Sequence, residues 1–156
     1  MTGTAANLDI HGSGFAVLPS GVDLMPGASG AWVDIALSLA LPAAGTYHLD
    51  AVVRGNIGRM ATGENAYVGA RLWDVTAGAV VPYTEAIVVQ ISEFAGSAAT
   101  ALQWNASAAI SVEYAVMSPR TVRLQACRVD IAGTTEVAGL GSGGIQQTTL
   151  RYKRVA

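Results

Sequence analysis

Charge is what this 156-residue sequence has least of. Asp, Glu, Lys and Arg together make up 13% of it, about half the share of an ordinary soluble domain. Nine basic residues stand against eleven acidic ones, for a net charge of −2, and Lys153 is the one lysine. A polyanion partner normally requires a basic patch or stripe. The one local cluster here is Arg151, Lys153 and Arg154, so no nucleic acid partner is expected. A single cysteine, Cys127, excludes an intrachain disulfide and a thiolate metal site. No apolar stretch reaches the roughly 18 residues that cross a bilayer as a helix. The longest, residues 31–44, is broken by Asp34 and Pro42, and no membrane partner is expected. Residues Met1 to Asn7 show neither the basic nor the apolar region of a signal peptide. That makes cytoplasmic production the expectation.

What is present is apolar residues, at 51%, enough burial to exclude a disordered chain. Their period is two. Val33, Ile35, Leu37, Leu39 and Leu41 alternate with Trp32, Asp34, Ala36, Ser38 and Ala40, the pattern of a half-buried strand. After a Pro42–Gly45 turn, Tyr47, Leu49, Ala51 and Val53 fall on one face and His48 and Asp50 on the other. Similar alternation covers Val68 to Trp73, Ile110 to Val116, Val122 to Ile131 and Gln146 to Val155, with a β-rich run from Val80 to Ile91 interrupted by Pro82. Residues 94–107 read as loop or short helix, and 133–144 as a glycine-rich loop. The count predicts an all-β fold, an antiparallel sandwich of about eight strands.

Catalytic templates fit poorly. Gly139-Leu140-Gly141-Ser142-Gly143-Gly144 matches the dinucleotide fingerprint in letters, but a β sequence follows where a helix is needed. The two histidines, His11 and His48, lie far apart, no nucleophile elbow is present, and ligand spacing for zinc or calcium is missing. No catalytic, cofactor or metal site is expected, and the chain reads as a non-enzyme. Cys127 reads as a small core residue. Trp32, Trp73 and Trp104 read as packing or interface residues, or as a sugar-stacking platform built on Trp73 and Trp104.

Three segments carry a family resemblance: Leu41-Pro42-Ala43-Ala44-Gly45-Thr46-Tyr47 with the strand after it, Ala70-Arg71-Leu72-Trp73-Asp74-Val75-Thr76-Ala77-Gly78, and Thr148-Thr149-Leu150-Arg151-Tyr152-Lys153-Arg154-Val155. Their order resembles the tumour necrosis factor-like jelly-roll modules of bacteriophage virion proteins, over residues 30–156. The resemblance implies a homotrimer on the particle surface, in a virion assembled in a bacterial cytoplasm. Its partners would be itself and a major capsid protein or tail proteins. Fibre-tip modules of that kind usually follow a shaft or stem, and this sequence shows none, so the expectation is a capsid decoration or cement protein, with a tail-fibre head binding a host surface glycan as the alternative. Interface candidates are Trp32, Tyr47, Trp73 and Tyr152. Residues 31–156 are expected to form the jelly roll. Residues 1–30, rich in glycine but carrying Phe15, Val17, Leu18 and Leu24, are expected to form an arm against a neighbour. The alternative is that Phe15–Leu18 adds a strand to its own sheet.

Overall fold

Strict alternation of large apolar and small or polar residues leaves each segment one way to sit, with one face in a core and the other in water. The computed structural model, which describes residues 12–60, 63–93 and 101–156, contains strands and turns and no helix among those residues. In chain order the strands are β1 (Ser13–Val17), β2 (Val22–Asp23), β3 (Val33–Leu41), β4 (Gly45–Arg59), β5 (Asn65–Asp74), β6 (Ala79–Val80), β7 (Ala86–Ser92), β8 (Leu102–Val116), β9 (Arg120–Ala132), β10 (Val137–Leu140) and β11 (Thr149–Arg154).

A first sheet runs β1–β11–β4–β8, with β10 and then β2 continuing the row beside the far half of β4. A second runs β3–β9–β5–β7, with β6 beside the end of β5. Every pairing is antiparallel. Setting aside the short β2, β6 and β10, each connection crosses from one sheet to the other except the one from β5 to β7. Two interlocked Greek keys of this kind make an eight-stranded jelly roll. The alternation read from residues 33–41 is the observed β3: Ile35, Leu37 and Leu41 are buried, while Asp34, Ala36, Ser38 and Ala40 are exposed. Leu49, Val53 and Ile57 from β4, Val68 and Leu72 from β5, Val122 and Leu124 from β9 and Leu150 from β11 complete the core between the sheets.

Several boundaries differ from expectation. Residues 102–107, read as loop or short helix, open the long β8; residues 94–100 lie outside the described residues. The glycine-rich segment contains β10, paired with both β4 and β2. Gly139 is needed there because a Cβ would come within 2.5 Å of the Val22 carbonyl oxygen. The fingerprint glycine therefore serves a close strand approach. Of residues 1–30, β1 pairs with β11 from Ser13↔Lys153 to Val17↔Thr149, and Leu18 and Leu24 are buried in the core. Residues 1–11, which include His11, lie outside the described residues.

Candidate functional site

The outward positions of the second sheet form rows across neighbouring strands: Arg123 opposite Trp73, Gln125 opposite Arg71, Cys127 opposite Gly69, Val129 opposite Tyr67. A continuous polar chain crosses these rows. Arg123 Nη1 donates to Asp34 Oδ2 (2.6 Å) and Gln125 Nε2 to Asp34 Oδ1 (2.8 Å). Arg71 Nε donates to Gln125 Oε1 (2.8 Å), and Arg71 Nη1 to Glu85 Oε1 (3.0 Å). The Gln125 amide first, and Arg123 after it, hold the Asp34 carboxyl below its usual range despite some burial. With its N–H groups engaged sideways, the Arg71 guanidinium lies against two indoles, 4.0 Å from the ring centroid of Trp32 and 5.3 Å from that of Trp73.

The chain ahead of β3 is shaped to bring Trp32 there. Gly30, at φ 79°, donates its N–H to the Arg128 carbonyl (2.7 Å), and Ala31 N–H closes a turn on Ala28 C=O (3.0 Å). Arg128 braces the same loop through the carbonyls of Met25 and Gly27. The Trp32 ring then reaches over Gly69, where a Cβ would sit 3.6 Å from its Cη2 and 3.2 Å from Cys127 Sγ. Glycine at this point opens a hollow of about 500 Å³ lined by Trp32, Tyr67, Gly69, Glu85, Ile87 and Cys127 among others. Cys127 is buried in the floor of this hollow on the outward side of β9, outside the central core cluster. Burial pushes its thiol up, away from the thiolate form that reacts.

A second cluster occupies the outer face of the first sheet. Ser111 Oγ donates to Asp50 Oδ1 (2.7 Å) and lies 3.1 Å from His48 Nε2, which is itself 3.2 Å from the same carboxylate oxygen. Arg151 Nε donates to Asp50 Oδ2 (3.2 Å). Partial burial works against the Asp50 charge, but Ser111, His48 and Arg151 together hold the carboxyl below its usual range. Serine, histidine and aspartate are thus close in space although distant in sequence. They do not form a nucleophile relay, which needs the acid on the imidazole nitrogen opposite the serine. Here the acid faces the same nitrogen and itself accepts the serine's hydrogen bond.

Of the sequence-derived interface candidates, Trp32 and Trp73 share the Arg71 face. Tyr47 is fully buried, with its hydroxyl donating to Ala43 C=O (2.9 Å), so it has no surface to present to a partner. Tyr152 packs edge-on against it, centroids 5.4 Å apart, in space left by Gly14. Both tyrosines close the fold. Trp104 is 54% exposed on β8 of the first sheet, and Trp73 is on β5 of the second. They make no common platform. Sequence reading missed Arg71, Tyr67 and Glu85, and also Tyr83, 97% exposed at φ 62° in the turn between β6 and β7. Non-glycine residues in that region are uncommon and carry strain. The neighbouring Pro82 interrupts the β-rich run in the sequence, but nothing in the sequence marks the backbone sign at Tyr83.

No family model matches the chain, and no curated protein matches it. Among solved structures it is similar to infectious bursal disease virus of the Gx strain, at 13% identity and TM-score 0.45, over 94% of this chain and 37% of that one. A crystal structure of the viral particle gives 14% identity, TM-score 0.42, and 95% and 36% coverage. A crystal structure of the VP2 subviral particle gives 10% identity, TM-score 0.43, and 94% and 38%. The chain spans little more than a third of the length of these three.

Proposed function

We propose that this protein is a non-enzymatic structural protein of a bacteriophage virion, a homotrimeric jelly roll bound to the capsid as a decoration or cement protein. The observation that carries the reading is the Trp32–Arg71–Trp73 face. Tryptophan and arginine are the residues that most often dominate protein interfaces, and here Arg71 is held by hydrogen bonds to Gln125 and Glu85, with both indoles against it, before any partner arrives, which lowers the entropy cost of association. The strained, exposed Tyr83 lies two residues before Glu85, which bonds Arg71, and is assigned by this proposal to the same contact. The three segments that resemble phage virion modules supply the trimer and the particle. Low charge suits a chain whose faces become buried between subunits, and part of the expected arm, residues 1–30, is proposed to add a contact to a neighbour or to the major capsid protein.

The test is mass and location together. The purified chain is expected to scatter light as a trimer or a multiple of one, and to be found in purified particles of the virus that encodes it. Tyr83→Gly relieves the φ of 62° and is expected to keep or raise folding stability by about 1 kcal/mol while weakening the trimer. A wild-type monomer at micromolar concentration, together with absence from particles, overturns the reading.

A second reading, a tail-fibre or tail-tip module for a host surface glycan, is favoured by the hollow beside Trp32 and Tyr67, where aromatic rings and Glu85 could hold a sugar. It expects binding to host envelope polysaccharide that Tyr67→Ala abolishes while the trimer persists.

A further inference from the structure

The backbone hydrogen bonds of β4 decide which groups of β8 are left free. Thr46 N–H donates to Ala156 C=O and Thr46 C=O accepts from Val155 N–H, both at 2.8 Å. Arg54 C=O accepts from Gly141 N–H (2.8 Å) and Gly58 C=O from Glu136 N–H (3.0 Å). Even-numbered β4 residues therefore face β10 and β11, and odd-numbered ones face β8. In the unbroken register that sets Tyr47 against Tyr114 and Ile57 against Trp104, the odd β4 residues exchange bonds with even β8 residues. The odd β8 residues, from Gln103 to Ala115, send N–H and C=O to the opposite side, where no described strand pairs with them.

Exposed edges are normally guarded by shortness, bulges, lysine or proline. The other edges of this sandwich are: β1 has 5 residues, and the pairings of β3 and β7 each contain a register shift. β8 has 15 residues, pairs without a shift, and contains no proline, lysine or arginine; Glu113 is its one charge. Near its start Trp104 is left 54% exposed.

We infer that β8 pairs edge to edge with β8 of a second copy, antiparallel about a two-fold axis at Ala109, joining the two first sheets into one. The free groups sit on odd residues, so odd must meet odd, and among such registers the one centred on Ala109 uses the whole strand. It sets Ser107 against Ser111 of the second copy and Glu113 against its Asn105, whose amide can donate to the carboxylate, so no like charges meet. On the inner face Trp104 meets Tyr114 of the second copy, covering the exposed indole. This contact is two-fold, distinct from the three-fold contact of the proposed trimer, and does not depend on where the protein resides. Trimers joined by it form a lattice.

Cysteine cross-linking of the purified chain in a Cys127→Ser background tests the register. Paired residues that exchange both bonds stand about 5.5 Å apart at Cα, within disulfide reach. Ala109→Cys alone is expected to give a disulfide dimer on oxidation. Ser107→Cys alone is expected to give none, but to cross-link when mixed with Ser111→Cys. Ala109→Pro removes one free-edge donor without touching the β4 ladder and is expected to lower the light-scattering mass to that of the assembly lacking this contact, with an unchanged circular dichroism spectrum. Failure of Ala109→Cys to cross-link, cross-linking of Ser107→Cys alone to the same extent, or an unchanged mass for folded Ala109→Pro each overturns the inference, whether or not the protein is found in virions.

Discussion

Asp74 shows how a single buried charge is made tolerable here. It lies at the end of β5 with no exposure, where an unpaired carboxylate would be costly. One oxygen accepts the Ala77 N–H (2.8 Å) and closes the turn that ends at Gly78; the other accepts the Tyr114 hydroxyl (2.7 Å), with Arg120 at 3.8 Å. Tyr114 comes from β8 in the opposite sheet, so this bond ties the layers together. Burial, and then Asp74, push its phenol up to about 12, so it remains a donor throughout the working range of pH. Tyr114→Phe keeps the ring and removes the donor. It is expected to cost about 1.5–3 kcal/mol, the range for a hydrogen bond to a charged group, read as a lower urea midpoint at unchanged m-value. A loss below a few tenths of a kcal/mol would mean that Arg120 or water fully replaces the hydroxyl.

Strands were legible from sequence where both faces obey a rule, and opaque where one does not. In β3 every inward residue is large and apolar, so the period was readable residue by residue. The first half of β8 runs Gln103 to Ser107 exposed on both faces, and without a buried face there is no alternation to see. In β10, four residues long, the glycine that broke the pattern is what the packing demands. The site was half legible. Trp32 and Trp73 stood out as aromatic residues on outward positions, but the Asp34–Gln125–Arg71–Glu85 chain joins residues 14 to 91 positions apart that only the folded sheet brings together. Tyr47 was already on the apolar face of its strand, and burial was the stronger signal. Gly139→Val carries an expectation at this scale: the new side chain meets the Val22 backbone and must push β2 away from β10. A loss of about 1–3 kcal/mol is expected, as for overpacking elsewhere, with amide exchange accelerated first at residues 22–24 and 137–140. Uniform acceleration across both sheets would show instead that β2 and β10 open only with the whole sandwich.

Across the whole molecule, carboxylates pin strands that are remote in sequence, and this sets how the fold responds to acid. Asp34 joins β3 to β9, Asp50 joins β4 to β8 and β11, and Glu93 pairs with the buried Arg59. All three are held below the usual carboxylate range, Glu93 chiefly by its bond from Arg59. Near pH 4 the unfolded chain therefore binds more protons at these sites than the native one. Their contribution is present above the ordinary carboxylate pKa of about 4 and is lost as pH falls through the lowered values. Glu64 has the opposite sign. It is buried, and burial pushes its carboxyl up. The Thr135 hydroxyl lies 2.6 Å from Glu64 Oε1 and 2.5 Å from Asp130 Oδ1. One hydroxyl hydrogen cannot serve two carboxylates, so a proton on Glu64 completes the set. Its contribution is present below the ordinary range and declines as pH rises through its raised pKa. The urea midpoint is thus expected to climb from pH 3 to about pH 5 and then to decline at higher pH. Glu64→Gln, a permanent neutral donor, should keep the climb and remove the decline. Parallel profiles for the two proteins would place the native proton elsewhere than on Glu64.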